Sequence, residues 1–295
     1  MRVILGFPME DKQTGQYIKN AFVENGCEVV GVHDPKLEAP DVLLRLAERL
    51  KPDLIFMSRS MPYVHIIEWI KKIAICAFWN VDVRYDIRAW TGLYPLMENC
   101  HFWFTIAKGN IPEYKKLGLG TPYWLSEGCD RIHEMRPAGK TGEHDVFFAG
   151  SIGNLHEDRK EILMTAKTLF KNNNIVNGLH LVNEDHNDAV GRAKVCIGHS
   201  GWPGVELSMS ARDYRVMGAK GFLLTNHVKD IETWFDIGKE CVTYDSPEDC
   251  MEKIRYYLEH EDEREAIAET GYKAAHSKHR LKHRIAEVLD IAGKM

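Results

Sequence analysis

The chain alternates short apolar runs with longer amphipathic segments. In the first half, apolar runs that predict β-strands occupy residues 2–6, 28–32, 54–57, 73–78, 101–106 and 121–125. Segments with the apolar spacing of a helix lie between them, at 13–25, 41–50, 62–72 and 111–117. Continuous apolar strands separated by helices are typical of a parallel sheet that is covered on both faces. The first half is therefore predicted to be an open α/β unit.

The alternation starts again after residues 136–142, a stretch rich in proline, glycine and charge that predicts a linker. Strands are predicted at 145–149, 178–182, 194–197, 222–224 and 240–244, and helices at 158–171, 231–235, 247–260, 261–275 and 281–291. The pattern predicts two domains, 1–138 and 143–295, with the last helix able to pack back on the first domain. Two such units that face each other form a cleft at the carboxyl ends of their strands, where a ligand is expected.

Residues 208–225 predict a helix start, a short amphipathic helix, a glycine stop and a buried strand. Ser208 or Ser210 is a suitable N-cap, because a serine oxygen accepts hydrogen bonds from the free N–H groups of the first turn. Arg212 lies in that turn, where a cation is unfavourable unless an anion sits between it and the positive end of the helix dipole. These residues predict either a phosphate site or a solvent-facing arginine on a surface helix.

The composition of the 295 residues is that of an ordinary globular protein, with 44% hydrophobic and 27% charged residues. The net charge of -5 gives no overall basic field, which weakens the case for a nucleic-acid partner. The seven cysteines include no CxxC pair, which favours reduced thiols over a disulfide framework. No apolar run is as long as a membrane span, and the first residues lack the features of a signal peptide. A cytoplasmic location is expected.

Several blocks of the second half resemble, in order and spacing, the C-terminal part of CgeB-like glycosyltransferases. They are SARDYRVMGAKGFLLT from Ser210, WFDIGKE from Trp234, VTY from Val242 and YYLEHEDEREAIAETGYKAAHSKHRLKHR from Tyr256. The run DVFFAGS from Asp145, followed by Arg159, is similar to the opening strand, turn and helix of that part. The resemblance therefore covers roughly residues 145–290. The first half matches more loosely, through 79–82 and 123–130.

The resemblance implies a glycosyl transferases group 1 type domain and the GT-B fold, an α/β architecture of two facing Rossmann-like domains with a cleft between them. It implies an enzyme that moves a sugar from a UDP-sugar or another nucleoside-diphosphate sugar to an acceptor hydroxyl. The C-terminal domain would bind this donor and the N-terminal domain the acceptor, with no bridging metal and no cofactor. The acceptor is left open as a glycan, a small molecule, a protein or a modified nucleobase, and so is the oligomeric state.

Without a metal, arginines, helix N-termini and backbone N–H groups must stabilise the charge that develops on the departing diphosphate. Arg212 is the first catalytic candidate, while Arg159 is equally explained as a solvated helix charge. Backbone amides of the glycine-rich turn after the strand 145–149 are expected near the same phosphate. The expected donor-binding residues are Gly150, Ser151, Gly153, Arg159, His199, Ser210, Arg212, Asp213 and Tyr214.

The chain departs from the family pattern at Arg215. Group 1 glycosyltransferases commonly have a glutamate there, which binds the ribose hydroxyls, and Asp213 or Glu206 is a possible substitute. The departure supports an alternative, a non-catalytic GT-B-like protein that binds a nucleotide or a glycan. A nicotinamide-dependent dehydrogenase or epimerase is disfavoured, because no GxGxxG follows the first predicted strand.

Asp82 follows the fourth predicted strand and is the candidate general base for the acceptor hydroxyl. The alternative is an aspartate that caps the following segment. His33, Asp34 and His65 are weaker candidates for the same role. His279 and His283 have the i, i+4 spacing of metal ligands, but they lie among so many cations that a solvated face is expected and no metal site is predicted.

Overall fold

The computed structural model describes residues 1–10, 12–32, 39–58, 61–82, 87–152, 157–177, 181–200, 202 and 204–295. They divide into two compact units. Unit 1 comprises Met1–Ser126 and Leu281–Met295, and unit 2 comprises Glu127–Arg280. Within these described ranges, no helix is both long enough and apolar enough to cross a membrane.

Unit 1 contains a parallel sheet. Its described strands are β1 Arg2–Gly6, β2 Glu28–Gly31, β3 Leu54–Met57, β4 Ile75–Asn80, β5 Phe102–Thr105 and β6 Tyr123–Trp124. Their spatial order is β2-β1-β3-β4-β5-β6, and each neighbouring pair is parallel. Because parallel neighbours can be joined only by a crossover, this order explains the alternation of strand and helix patterns in the sequence.

Helices cover both faces of this sheet. They are α1 Thr14–Glu24, α2 Ala39–Leu50, α3 Ile67–Ile70, α4 Tyr94–Asn99, α5 Ile111–Lys116 and, at the end of the chain, α11 Leu281–Ala292. Successive strand residues point to opposite faces, so Phe56 packs with α1 and α11 while Ile55 packs with α2 and α3. Helices α1 and α11 lie side by side within unit 1.

Unit 2 contains a second parallel sheet. Its described strands are β7 His144–Gly150, β8 Asn173–Asn177, β9 Ala193–Ile197, β10 Leu223–Asn226 and β11 Val242–Tyr244, in the spatial order β11-β10-β9-β7-β8. The helices are α6 Glu157–Leu169, α7 Asn183–Arg192, α8 Ala211–Gly218, α9 Pro247–Glu259 and α10 Glu261–Lys278. Phe148, Leu163 and Ile254 belong to the core shared by the sheet, α6 and α9.

The predicted alternation of strands and helices is confirmed in both units, although several elements differ. The helix predicted at 231–235 is a 3-10 turn, Ile231–Thr233, and α4 is not among the predicted helices. The strand predicted at 178–182 lies instead at Asn173–Asn177, paired with β7. It is rich in asparagine and lies at the sheet edge, so it has no apolar run to reveal it; residues 178–180 lie outside the described residues. The helix predicted at 62–72 is divided into a 3-10 turn, Met61–His65, and the short α3.

The predicted linker, residues 136–142, lies inside unit 2. The N–H of Thr141 donates to the carbonyl of Gly191 at 3.1 Å, and Lys140 forms an ion pair with Glu265. The chain passes between the two compact units at 126/127 and again at 280/281. The domain limits 1–138 and 143–295 stay a prediction.

Candidate functional site

The candidate site lies at the carboxyl ends of β7 and β9. These strands are neighbours where the strand order of unit 2 reverses, since β8 lies on one side of β7 and β9 on the other. In an open parallel sheet, connections leave such a point toward opposite faces and open a crevice at the carboxyl ends of the two strands. The side chains that reach these strand ends therefore define the chemistry of the site.

Helix α8 begins at an N-cap formed by Ser210, one of the two serine caps predicted from the sequence. Ser210 Oγ accepts from the N–H of Arg212 at 3.3 Å, and the Ser210 carbonyl accepts from the N–H of Asp213 at 3.0 Å. The N–H of Ala211 donates to a carboxylate oxygen of Glu127 at 2.7 Å. The first turn thus has oxygen acceptors within unit 2, and its N–H groups are not the free donors that the sequence suggested.

The side chain of Arg212 extends from this first turn across the end of β7. Its Nε donates to the carbonyl of Ala149 at 2.8 Å, and its Nη1 donates to the carbonyl of His199 at 3.2 Å. The guanidinium carbon lies 4.5 Å from the centroid of the Phe148 ring, a favourable cation–π distance. Carbonyls and an aromatic face hold the guanidinium in place without neutralising its charge.

Arg159, from α6, reaches the same carbonyl. Its Nη2 donates to the carbonyl of His199 at 3.0 Å and its Nη1 to that of Ser151 at 3.0 Å. The side chain is buried, and its Nε has no hydrogen-bond partner in the described part of the chain. The sequence left Arg159 open as a solvated helix charge, and the structure places it instead beside Arg212.

The two arginines, of which Arg159 is buried and Arg212 half-buried, share an environment that has excess positive charge. Burial lowers the pKa of Arg212 to about 10, and repulsion from Arg159 contributes to this decrease. Burial likewise lowers the pKa of Arg159. Both groups stay protonated at neutral pH, and among the described residues neither forms a hydrogen bond to a carboxylate. Such a pair stabilises an anion.

Two glycines leave room for this arrangement. A Cβ on Gly150 would overlap the guanidinium of Arg212, and the φ of Gly150, +154°, is one that residues with a side chain rarely adopt. A Cβ on Gly198 would lie 2.5 Å from Asp213 Oδ1 and 2.6 Å from Thr225 Oγ1. Gly150 therefore admits the arginine side chain to the end of β7.

Asp213 is a carboxylate next to these arginines, and it is 0% exposed. It accepts a hydrogen bond from Thr225 Oγ1 at 3.4 Å, while its Oδ2 has no hydrogen-bond partner among the described residues. Burial raises the pKa of Asp213 to about 6, and the charge of Arg212 partly offsets this increase. Asp213 therefore acts on the arginines through its charge, and it does not present a carboxylate at the surface for a ribose.

Arg215, where the resemblance leads us to expect a glutamate, forms an ion pair with Glu134, whose Oε1 lies 2.5 Å from Arg215 Nε. Glu134 is buried, and its other oxygen accepts from the N–H of Asp130 at 2.7 Å. Burial raises the pKa of Glu134, while the charge of Arg215 acts in the opposite direction. Nearby, burial lowers the pKa of His186 to about 3, with further lowering from Arg215 and Arg212.

The remaining predicted donor residues have different places. Tyr214 is buried, and its hydroxyl accepts from Trp234 Nε1 at 2.9 Å. His199 contacts both arginines through its backbone carbonyl. Ser151 is exposed and contacts Arg159 in the same way. Gly153 lies outside the described residues.

His279 differs from its expected place on a solvated face. It is buried, and its ring lies 5.6 Å from that of Tyr214, 5.3 Å from that of Trp234 and 4.9 Å from that of Phe235. The expectation was wrong because His279 follows the end of α10 and turns into the aromatic core of unit 2, away from its charged neighbours in the sequence.

In unit 1, the carboxyl ends of β4 and β5 carry polar groups without a guanidinium cluster among the described residues. Asn80 Nδ2 donates to the hydroxyl of Tyr114 at 3.2 Å, and Thr105 Oγ1 accepts from the N–H of Ala107 at 3.2 Å. Asp82 follows β4 by two residues and is half-buried. The other base candidates are less informative, because His65 is exposed at the end of a 3-10 turn and His33 and Asp34 lie outside the described residues.

Several residues of the site have no signal in the sequence. Glu127 and Glu134 come from a segment far from α8 along the chain, and nothing in the pattern of their own segment indicates that contact. Gly198 is the exception, because a glycine at a strand end is a sign that another group approaches the backbone closely, as Asp213 and Thr225 do here. No group of three or more His, Cys, Asp or Glu side chains in the part of the chain that the structure describes is arranged to hold a metal ion.

A family model for glycosyl transferase-like proteins matches residues 137–290, which is more than half of the chain and includes α6, α8 and the ends of β7 and β9. The chain therefore belongs to this glycosyl transferase-like family. The resemblance noted from the sequence is confirmed at this level. A comparison with curated proteins finds none that matches the sequence of this chain.

Solved structures show that the fold is GT-B. HepE from Anabaena, crystallised with UDP and glucose, is 7% identical, with a TM-score of 0.69 over 100% of both chains. Sucrose-phosphate synthase from Thermosynechococcus elongatus is 9% identical, with a TM-score of 0.65 over 100% of this chain and 98% of that chain. A glycosyltransferase from Rickettsia africae is 9% identical, with a TM-score of 0.63 over 99% and 98%. The TM-scores establish the shared α/β fold with its two Rossmann-like parallel sheets, and at these low identities they establish no more.

Proposed function

We propose that this protein is a CgeB-like glycosyltransferase that moves a hexose or pentose from a UDP-sugar, or another nucleoside-diphosphate sugar, to an acceptor hydroxyl without a metal. The observation that carries the proposal is the convergence of Arg159 and Arg212 on the carbonyl of His199, with no carboxylate bonded to either guanidinium in the described part of unit 2. The similarity in fold to a protein crystallised with UDP and glucose supports the choice of donor.

In the proposed reaction, the bond between the sugar C1 and the diphosphate oxygen breaks, and a bond forms between C1 and the acceptor oxygen. The nucleoside diphosphate leaves with the bonding electrons, so negative charge grows on its phosphate in the transition state. Arg212 and Arg159 stabilise this charge, which is the task that a metal ion performs in other enzymes. They are pre-oriented by carbonyls, so little reorganisation is needed during the reaction.

The acceptor side of the proposal rests on unit 1. Asp82, at the carboxyl end of β4, takes the proton that the acceptor hydroxyl loses. The predicted domains, 1–138 for the acceptor and 143–295 for the donor, are part of this proposal. Asn80 and Tyr114 are buried at the same strand ends and hydrogen-bonded to each other, so they support this part of the site and do not contact the acceptor.

Arg212→Ala tests the donor assignment. Titration calorimetry with UDP and chromatography of UDP-glucose hydrolysis are measured on the wild-type protein, on Arg212→Ala and on Arg255→Ala, a matched exposed arginine on α9. Loss of one stabilising group at a developing anion lowers turnover by about 10²- to 10³-fold. We expect this loss for Arg212→Ala alone. Equal turnover in both variants would overturn the assignment.

A second candidate function is a non-catalytic GT-B-like protein that binds a nucleotide or a glycan. The ion pair between Arg215 and Glu134 favours it, because it replaces the family glutamate by a cation that is already neutralised inside unit 2. The test is a panel of nucleoside diphosphates and nucleoside-diphosphate sugars that varies both the base and the sugar. Binding of a nucleoside diphosphate without hydrolysis of any of the sugar conjugates would support this candidate over the transferase.

A further inference from the structure

Glu127 holds an unusual place at the start of α8. Its carboxylate accepts from the N–H of Ala211 at 2.7 Å, one residue before Arg212. A helix N-terminus favours negative charge, and a carboxylate and a phosphate satisfy that preference by the same hydrogen bonds. A side-chain anion of unit 2 thus already occupies the helix start beside the arginines proposed to bind the donor.

The backbone around Glu127 is held by bonds that do not use its carboxylate. The N–H of Cys129 donates to the carbonyl of His279 at 3.0 Å. The carboxylate of Asp130 caps the following turn, accepting from the N–H groups of Ile132 at 3.0 Å and of His133 at 2.8 Å. Movement of the Glu127 side chain away from Ala211 would leave these bonds intact.

We infer that Glu127 is a resident anion which the diphosphate of the donor displaces from the start of α8. The inference rests on the proposed function, because it concerns the same anion site. The phosphate oxygen takes over the N–H of Ala211 while the guanidinium of Arg212, one residue further on, meets the rest of the charge. In the absence of donor, Glu127 keeps that N–H bonded.

The displacement makes Glu127 a residue that lowers the affinity of the site for anions. A ligand that uses the N–H of Ala211 must replace a carboxylate that is already hydrogen-bonded, and this cost weakens its binding. A diphosphate still binds, because it makes several contacts with Arg212 and Arg159. Removal of the resident carboxylate should therefore strengthen the binding of a diphosphate.

The test compares UDP affinity, by titration calorimetry, in the wild-type protein, Glu127→Ala, Glu127→Gln and Glu261→Ala. Glu261 is a matched control, an exposed carboxylate in the first turn of α10. We expect UDP to bind Glu127→Ala about threefold to thirtyfold more tightly, the range that one charged contact at a helix terminus contributes. Glu127→Gln should show a smaller gain, because glutamine keeps the acceptor oxygen and loses the charge. Glu261→Ala should match the wild type.

The inference is overturned if the wild type binds UDP and both Glu127 variants bind it equally well or more weakly. The proposed function would still stand in that case. If UDP binds neither the wild type nor the variants, a UDP-sugar is excluded as the donor. Inorganic pyrophosphate then tests the resident anion alone, because its binding to the arginines does not depend on a nucleoside. Tighter pyrophosphate binding in Glu127→Ala supports the inference, and equal binding refutes it. If Glu127→Ala does not fold, the same measurements are compared between the wild type and Glu127→Gln.

Discussion

The two parallel sheets carry different chemistry at the carboxyl ends of their strands. In unit 2, two guanidiniums reach the ends of β7 and β9 and bond to backbone carbonyls. In unit 1, the described residues at the ends of β4 and β5 include the carboxylate of Asp82 and an amide, a hydroxyl and a phenol that bond to one another or to the backbone. Both sheets have the same parallel topology, so topology alone does not decide the charge of the ligand.

The difference arises from the helices that follow the strands. Arg159 comes from α6 and Arg212 from the first turn of α8, and burial lowers the pKa of each without removing its proton at neutral pH. In unit 1, the corresponding partner of Asn80 is Tyr114, a neutral residue of α5. Under the proposed function, the guanidiniums of unit 2 bind the anionic donor, and Asp82 in unit 1 accepts the proton of the acceptor hydroxyl. Substitutions in each unit separate these two roles.

Asp82→Asn should have the largest effect. If Asp82 is the general base of unit 1, its loss lowers kcat by about 10²- to 10⁴-fold, because the acceptor hydroxyl then loses its proton acceptor. The same variant should bind UDP as tightly as the wild type, since the anion-binding groups lie in unit 2. Turnover and UDP titration of the same variant measure whether kcat falls while UDP affinity stays unchanged.

Glu98→Gln is the matched control, because it makes the same change from carboxylate to amide at an exposed position on α4 of the same unit. Glu98→Gln should leave both turnover and UDP affinity unchanged. Normal turnover in Asp82→Asn would exclude the aspartate as the general base.

Gly150→Ala should have the next largest effect, on UDP affinity. The added Cβ overlaps the guanidinium of Arg212, so the side chain must leave the end of β7. We expect UDP to bind about tenfold to a hundredfold more weakly, the loss of one or two charge-assisted hydrogen bonds of about 1.5–3 kcal/mol.

Gly139→Ala is the matched control for this substitution, because a Cβ there meets no atom within 4 Å among the described residues. It should leave UDP affinity unchanged. If Gly150→Ala and Gly139→Ala bind UDP equally well, the position of Arg212 at the strand end is not what gives unit 2 its affinity for anions.

The sequence predicts much of unit 2 but not the partners of its charges. The cap at Ser210 and the position of Arg212 in the first turn follow from local rules, because a cap is made by residues that are neighbours along the chain. The carbonyls that hold Arg212 belong to the ends of two other strands. That contact depends on strand order, which the alternation of elements does not specify.

The same limit explains two further features of the site that the sequence does not reveal. The sequence indicates no side-chain partner for the N–H of Ala211, because Glu127 is distant from it along the chain. The sequence does not explain why an arginine lies at position 215, because Glu134, with which Arg215 forms an ion pair, belongs to another segment. Charges that pair across long separations leave no periodic signal, whereas helices and strands do.

The buried charges of unit 2 also predict a pH dependence, which should be the smallest effect. The folded-state pKa of Asp213, raised by burial to about 6, means that the folded protein binds an extra proton between about pH 4 and 6. Asp213 therefore makes the folded state less stable as pH rises through this range. The pKa of His186, lowered by burial to about 3, acts with the opposite sign, because the unfolded chain binds the extra proton and stability rises with pH up to about 6.5.

The two slopes nearly cancel in the wild-type protein, so single variants are needed to see them. Between pH 4 and 6, Asp213→Asn should become more stable relative to the wild type as pH rises, by at most about 1.4 kcal/mol per pH unit. His186→Phe should show the reverse trend over the same range. Urea denaturation at intervals of half a pH unit measures both, and other titrating groups cancel in each difference. A flat difference curve for Asp213→Asn would mean that its carboxylate stays ionised beside Arg212 throughout this pH range, and that burial does not raise its pKa.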